Sequence, residues 1–304
     1  MKKMDFHSHY ITGAYRAFWE KHGVGGFPKW DVEQQLRLNE ENEICYSLMG
    51  ISTPYFYAGN PDETLGVVHS SNLEAAAAIK GYEDRLGFLA ALPLPDVQAS
   101  LREMDHAMEL GAKGFTFCTN TGGIYLGHPS LEPIMARMDE LGAMITVHPT
   151  KPTAVPSGVL DEFRIQALEF FFDTTRTFIN LSRNLVFSRY PNIRWIFPHA
   201  GALVPVISDR VLSSFRGEGR GADLIGDMQR VYYDVAGPSE PKLLEILKTV
   251  TPMEHILYGS DAPYAKPHEV ARYAGILENT EKLTAEEKEM VFYRNGSKFL
   301  KMEV

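Results

Sequence analysis

Gly87-Phe88-Leu89-Ala90-Ala91-Leu92 is an apolar run with neither a polar side chain nor a two-residue alternation. A strand with one wet face alternates apolar with polar residues. This run therefore reads as a strand covered on both faces, as in a parallel sheet flanked by helices. Downstream, residues 97–110 put Leu101, Met104, Ala107 and Met108 on one helical stripe, and Gly111 supplies a stop. A strand-like run follows at 114–118, a helical stretch at 130–141 before Gly142, and another strand at 143–148.

The same alternation continues in both directions. Strands are expected at 4–9, 44–50, 86–92, 114–118, 143–148, 193–199, 231–236 and 255–260, with helical periodicity at 63–82, 160–189, 203–215, 241–250, 268–277 and 285–300. Eight strand–helix repeats predict an α/β fold, the (β/α)₈ TIM barrel, with residues 1–304 as a single domain. A doubly wound open sheet fits the alternation but does not explain the polar residues at the strand ends.

Composition narrows the function classes. Thirty Lys and Arg against 39 Asp and Glu give a formal charge of −9. That balance argues against a nucleic-acid or anionic-membrane partner, which needs clustered cations. Cys45 and Cys118 form no C-x-x-C pair, so neither a disulfide framework nor a cysteine metal knuckle is expected. The first residues turn polar at once, without the apolar segment of a signal peptide, and no apolar stretch approaches the ~18 residues of a membrane span. A soluble cytoplasmic protein is expected.

In a parallel barrel the catalytic groups sit at the C-terminal strand ends. The first strand ends in His7-Ser8-His9, whose alternation aims both imidazoles at one face. The fifth ends in His148, the sixth in His199 and the eighth in Asp261. Imidazole nitrogens and a carboxylate oxygen are the preferred donors of a zinc-like cation. A lone strand-end histidine is usually structural, but five such residues at the termini of one barrel favour a metal. The fourth strand has its only lysine, Lys113, at the wrong end for a bridging carboxylated lysine, so one divalent ion is expected, held by His7, His9, His148 and Asp261. Zinc is the expected ion, with manganese, cobalt or iron as alternatives. His199 is cast as the proton-handling group beside it. Cys118 reads as a small core hydrophobe rather than a ligand.

These stretches resemble the amidohydrolase superfamily, and within it the branch containing aminocarboxymuconate semialdehyde decarboxylase and the salicylate and resorcylate decarboxylases. The resemblance is carried by Asp5-Phe6-His7-Ser8-His9, Val147-His148-Pro149, Phe197-Pro198-His199-Ala200-Gly201 and Gly259-Ser260-Asp261-Ala262-Pro263. Ala91–Asp96, Thr119–Gly127 and Phe172–Thr177 look like the methylsalicylate decarboxylase group. The resemblance implies a barrel of the metal-dependent hydrolase type, metal binding by His7, His9, His148 and Asp261, and a catalytic His199. It further implies nonoxidative decarboxylation of a small aromatic or unsaturated carboxylic acid by a homodimer, with Arg210 reaching a neighbouring subunit's substrate carboxylate. Arg16 and Lys29 lie in the loop after the first strand, where the local pattern departs from the family's second substrate arginine; that departure favours a monocarboxylate of the salicylate type. Either His199 or Asp261 can deliver the proton. The same ligands suit a hydrolase that opens a lactone or amide, or a non-catalytic barrel with a structural metal.

Several further features have two readings. Residues 10–30 form a lid or an ordinary long loop. Thr119–Gly127 shapes the pocket or is a simple glycine turn. Phe170-Phe171-Phe172 reads first as a buried helix face or subunit contact, and second as an aromatic substrate wall. Asp173 and Arg176, three apart on a helix, read as an ion pair. Gly217–Gly221 reads as a flexible loop. His22, His69, His106, His128, His255 and His268 are assigned to surface or core.

Overall fold

The computed structural model of the protein describes residues 1–219 and 221–303. Eight parallel strands form one sheet in sequence order: β1 (Lys3–His9), β2 (Ile44–Gly50), β3 (Leu86–Ala90), β4 (Gly114–Cys118), β5 (Met144–His148), β6 (Arg194–Phe197), β7 (Tyr232–Asp234) and β8 (Ile256–Leu257). The sheet closes on itself beyond β8. Phe6 N donates to Tyr258 O at 2.9 Å, Asp261 N to His7 O at 2.7 Å and His9 N to Ala262 O at 2.7 Å. The architecture is the expected barrel. Asp5 reinforces the seam by accepting from Ser260 N at 2.9 Å and Ser260 Oγ at 2.5 Å.

Local chemistry starts and stops the helices around it. Asn60 caps the helix Pro61–Ile79 through the amides of Asp62 and Glu63, with Pro61 in the first turn. Asp96 caps Val97–Glu109 through Ala99 N, and Gly142 ends Glu132–Leu141 in the left-handed region at φ 56°. Met4, Phe6, Tyr46, Leu48, Leu89, Met144, Ile196 and Leu257 gather strand residues into one apolar cluster, which Phe299 of the C-terminal helix joins. A larger cluster packs Phe88, Phe115, Phe117, Trp195 and Phe197 with helical side chains such as Met104, Met138 and Phe178.

The departures from expectation have local causes. Residues 10–30 are not a simple loop, because Thr12 accepts from Tyr15 N and starts a helix, Gly13–Lys21, that buries Tyr15, Phe18 and Trp19. The expected helix at 160–189 shrinks to Glu169–Arg183 and Val186–Arg189, since Leu185 between them has φ 59°. The helix expected at 203–215 runs further, Val204–Glu218, so Gly217 and Glu218 are helical and Gly219 caps it at φ 65°. Arg220 of that stretch lies outside the described residues. The helix expected at 241–250 is only Leu243–Leu247, and Leu224–Arg230 was not anticipated. Strand β6 is shorter than expected because the chain turns sharply at His199 (φ 52°), and β8, only Ile256–Leu257, gives way to the seam bonds with β1.

Candidate active site

β1 delivers His7 and His9, whose ring centroids lie 5.0 Å apart. β5 delivers His148, whose ring is 5.6 Å from His7 and 5.0 Å from His9. The three residues are buried, and one nitrogen from each falls within 4.8 Å of the others. Asp261 joins from beyond β8, with Oδ1 at 3.3 Å from His9 Nε2 and 3.6 Å from His7 Nε2. His199 follows β6 with its ring 4.8 Å from that of His7. The five strand-end residues therefore converge, although they are scattered from residue 7 to residue 261.

The same device orients every imidazole. His7 Nδ1 faces Asp234 Oδ2 at 2.7 Å, His9 Nδ1 the Gly50 carbonyl at 3.1 Å, His148 Nδ1 the Pro149 carbonyl at 2.7 Å and His199 Nδ1 the Ala236 carbonyl at 3.2 Å. Each partner is an acceptor, so Nδ1 carries a hydrogen and Nε2 is the nitrogen left to bind a cation in the neutral ring. Among the described residues, the buried Nε2 atoms of His7 and His9 have no hydrogen-bond partner. Orphaned buried acceptors beside a carboxylate fit a divalent cation, which satisfies all of them at once.

The electrostatics agree with that fit. Burial holds His148 well below the usual imidazole range, and His9 is lowered for the same reason, so both are neutral donors. Burial also works against charge on His7, but the Asp234 carboxylate outweighs it and holds the imidazole up at about 9. Burial opposes charge on Asp261 as well, yet the neighbouring imidazoles of His9, His7 and His199 keep this carboxyl below its ordinary value. Asp261 retains 29% of its side-chain surface, so this ligand candidate faces the barrel mouth.

Asp234 is the functional residue that the sequence reading missed. It is buried, binds His7 and also accepts from the amides of His199 (3.1 Å) and Ala236 (3.1 Å). One carboxylate thus positions two of the imidazoles. Its signal is its place at the end of the seventh strand.

Aromatic rings wall the cluster. Phe171 lies parallel to His199 (6.2 Å, 15°), Phe170 edges towards His148 at 6.4 Å, and Tyr264 meets His9 at 5.4 Å. Two of the three consecutive phenylalanines therefore line the site, while Phe172 is exposed. Asp173, fully buried, binds Arg176 Nη1 at 2.8 Å as the expected i,i+3 pair. It also accepts from Tyr125 Oη at 2.5 Å, Asn120 Nδ2 at 3.0 Å and the Thr119 hydroxyl. Thr119–Gly127 is more than a turn, since Asn120–Thr121 and Ile124–Tyr125 pair as a small antiparallel hairpin that Asp173 clamps. Cys118 is buried in the apolar core, as read. Arg210 is exposed on the helix Val204–Glu218.

The amidohydrolase family matches residues 4–302. The chain belongs to the amidohydrolase family. Among the relatives of this amidohydrolase, the 6-methylsalicylic acid decarboxylase of Penicillium expansum is 29% identical over 294 residues, covering 91% of this chain and 90% of that protein. A crystal structure described as an amidohydrolase II superposes with a TM-score of 0.96 at 34% identity, covering 99% of this chain and all of that one (100%). A dihydroxybenzoic acid decarboxylase from Polaromonas sp. JS666, crystallised with bound manganese, shares the fold at 18% identity with a TM-score of 0.83, covering 99% and 97% of the two chains.

Proposed function

We propose that this amidohydrolase is a metal-dependent, nonoxidative decarboxylase of a small aromatic carboxylic acid of the salicylate type. His7, His9, His148 and Asp261 hold the ion, and the reading takes residues 1–304 as one catalytic domain. The unpartnered, buried Nε2 atoms of His7 and His9 beside Asp261 carry the metal assignment. The reaction is supported by the 6-methylsalicylic acid decarboxylase relative and by the aromatic wall. Three imidazoles with one carboxylate suit zinc by donor type, and manganese is the competing ion.

A divalent ion held by His7, His9, His148 and Asp261 would supply positive charge to offset that of the substrate carboxylate. The residues of the chain do the rest. Phe170, Phe171 and Tyr264 offer ring faces and edges to a flat substrate and exclude water from one side of it. A proton from either His199 or Asp261 arrives at the ring carbon that bears the carboxylate. The C–C bond then breaks, its electron pair restores aromaticity, and CO₂ departs; no oxidant is required. Asp234 holds both His7 and His199 in register for this transfer.

A homodimer belongs to the same reading, with Arg210 meeting the substrate carboxylate of the neighbouring subunit. Exposed Val159, Leu160 and Phe163, together with Val206 on the helix of Arg210, support a self-association surface. Cytoplasmic residence is supported by the two free cysteines. The test is CO₂ release from a panel of hydroxybenzoates, run beside a panel of lactones and amides. Turnover of hydroxybenzoates is expected; turnover of the second panel alone overturns the reading in favour of a hydrolase.

A further inference from the structure

Away from the barrel mouth, the helices Pro61–Ile79 and Val97–Glu109 bring three more donors together. His69 comes from the first helix, Glu103 and His106 from the second at i,i+3 spacing. One ligand atom from each lies within 4.8 Å of the other two. His69 and His106 had been assigned to surface or core, and that assignment misses this convergence. The two imidazoles stack at 4.5 Å and 28°.

Three observations separate this group from an ordinary surface cluster. Glu103 is a carboxylate with 4% of its side-chain surface exposed, and among the described residues no Lys or Arg forms an ion pair with it. Among the described residues its side chain meets a neutral amide and a titratable ring: Asn72 Nδ2 donates to it at 2.7 Å and His69 Nδ1 lies at 3.0 Å. His106 Nε2 is buried and has no hydrogen-bond partner among the described residues. Asn72 in turn is fixed to the chain after β3, donating to Ala91 O at 3.0 Å and accepting from Ala91 N at 2.9 Å. The carboxylate is thus braced from behind, as metal-binding carboxylates are. The half-exposed His69 leaves a path from solvent.

The geometry points to a second cation site, built from His69, Glu103 and His106, that takes a zinc-class transition ion and cross-links two outer helices of the barrel. Two imidazoles and one carboxylate leave a fourth position for water. Because both helices contribute donors, the ion stabilises the folded chain and not the unfolded one.

The test uses the full-length, tag-free protein saturated with zinc alone, freed of excess by dialysis, with metal content measured per chain. Wild type is expected to retain about two ions and His106→Ala about one. His69→Ala, at a half-exposed position, should also retain about one, which covers the case in which His106→Ala folds poorly. Circular dichroism at equal temperature checks the fold of each variant. An ion lost in His106→Ala but kept in His7→Ala belongs to this outer site even if the inner centre fails to bind. Equal metal content in wild type, His106→Ala and His69→Ala overturns the proposal.

Discussion

His199 occupies a backbone conformation that few non-glycine residues adopt, at φ 52°, and its ring lies between His7 and Phe171. Such conformations persist when the surroundings enforce them, here through Asp234 and the Ala236 carbonyl. His199→Ala removes a proton-handling group while leaving the ligand candidates in place. Turnover is expected to fall by about 10²–10⁴-fold with metal content unchanged, as measured by CO₂ release and metal analysis on the same sample. Asp234→Asn acts through His7. In the metal-free chain His7 is protonated up to about 9, so the ion must displace a proton and metal affinity rises with pH over the range below that value. The neutral amide removes the charge that holds the imidazole up, which flattens this dependence. It also removes the anion that fixes the ring, so affinity itself should fall by about 10–100-fold. Zinc titrations of both proteins at several pH values check the two effects; an unchanged pH slope would dissociate Asp234 from the proton on His7.

The elements explain why part of this was legible in the sequence. His7, His9 and His148 stand at the ends of β1 and β5, where period-two alternation and the barrel rule suffice to aim them. Their convergence followed from strand ends alone. Asp234 was not singled out because one aspartate after two tyrosines reads as an ordinary polar strand end, and its partner lies 227 residues away. The helix Gly13–Lys21 was obscured by nearby glycines, although Thr12 and the stripe Tyr15, Phe18 and Trp19 carry a helical pattern. The brevity of β8 was beyond sequence reasoning, since its closure depends on bonds to β1. That seam can be probed at Gly259, where an added Cβ would stand 2.6 Å from His7 Cβ and 3.0 Å from Ala236 Cβ. Gly259→Ala must therefore push β8 away from β1 and β7. A loss of about 1–3 kcal/mol in unfolding free energy is expected, together with weakened metal binding, because His7 and Asp261 sit on either side of the seam. Denaturant unfolding and zinc titration check it. A stable variant with intact metal binding would mean that the seam yields without disturbing the ligands.

At the scale of the whole molecule, five residues converge within one chain. The exposed Arg210 of the helix Val204–Glu218 makes no hydrogen bond or ion pair with any of them among the described residues, so its role towards the substrate's charge depends on which site it enters. A second copy resolves this if its Arg210 enters the first copy's site, and subunit mixing discriminates that arrangement from action within one chain. Loss of a charge-assisted contact to a carboxylate costs about 1.5–3 kcal/mol, so Arg210→Ala should raise KM by about 10–100-fold with bound metal unchanged. His199→Ala, by contrast, is defective in turnover. When equal amounts of the two variants are dissociated and reassociated, about half of the dimers are mixed by chance. If Arg210 acts across the interface, each mixed dimer contains one site with native His199 from one subunit and native Arg210 from the other. Its second site carries both defects. Activity at low substrate should then recover to about a quarter of the wild-type level, far above either variant alone. If Arg210 serves its own subunit, both sites of the mixed dimer keep one defect each and the mixture stays at the mean of the two variants. Sedimentation of the wild type at working concentration accompanies the assay, and a monomer there would remove the cross-subunit role of Arg210 outright.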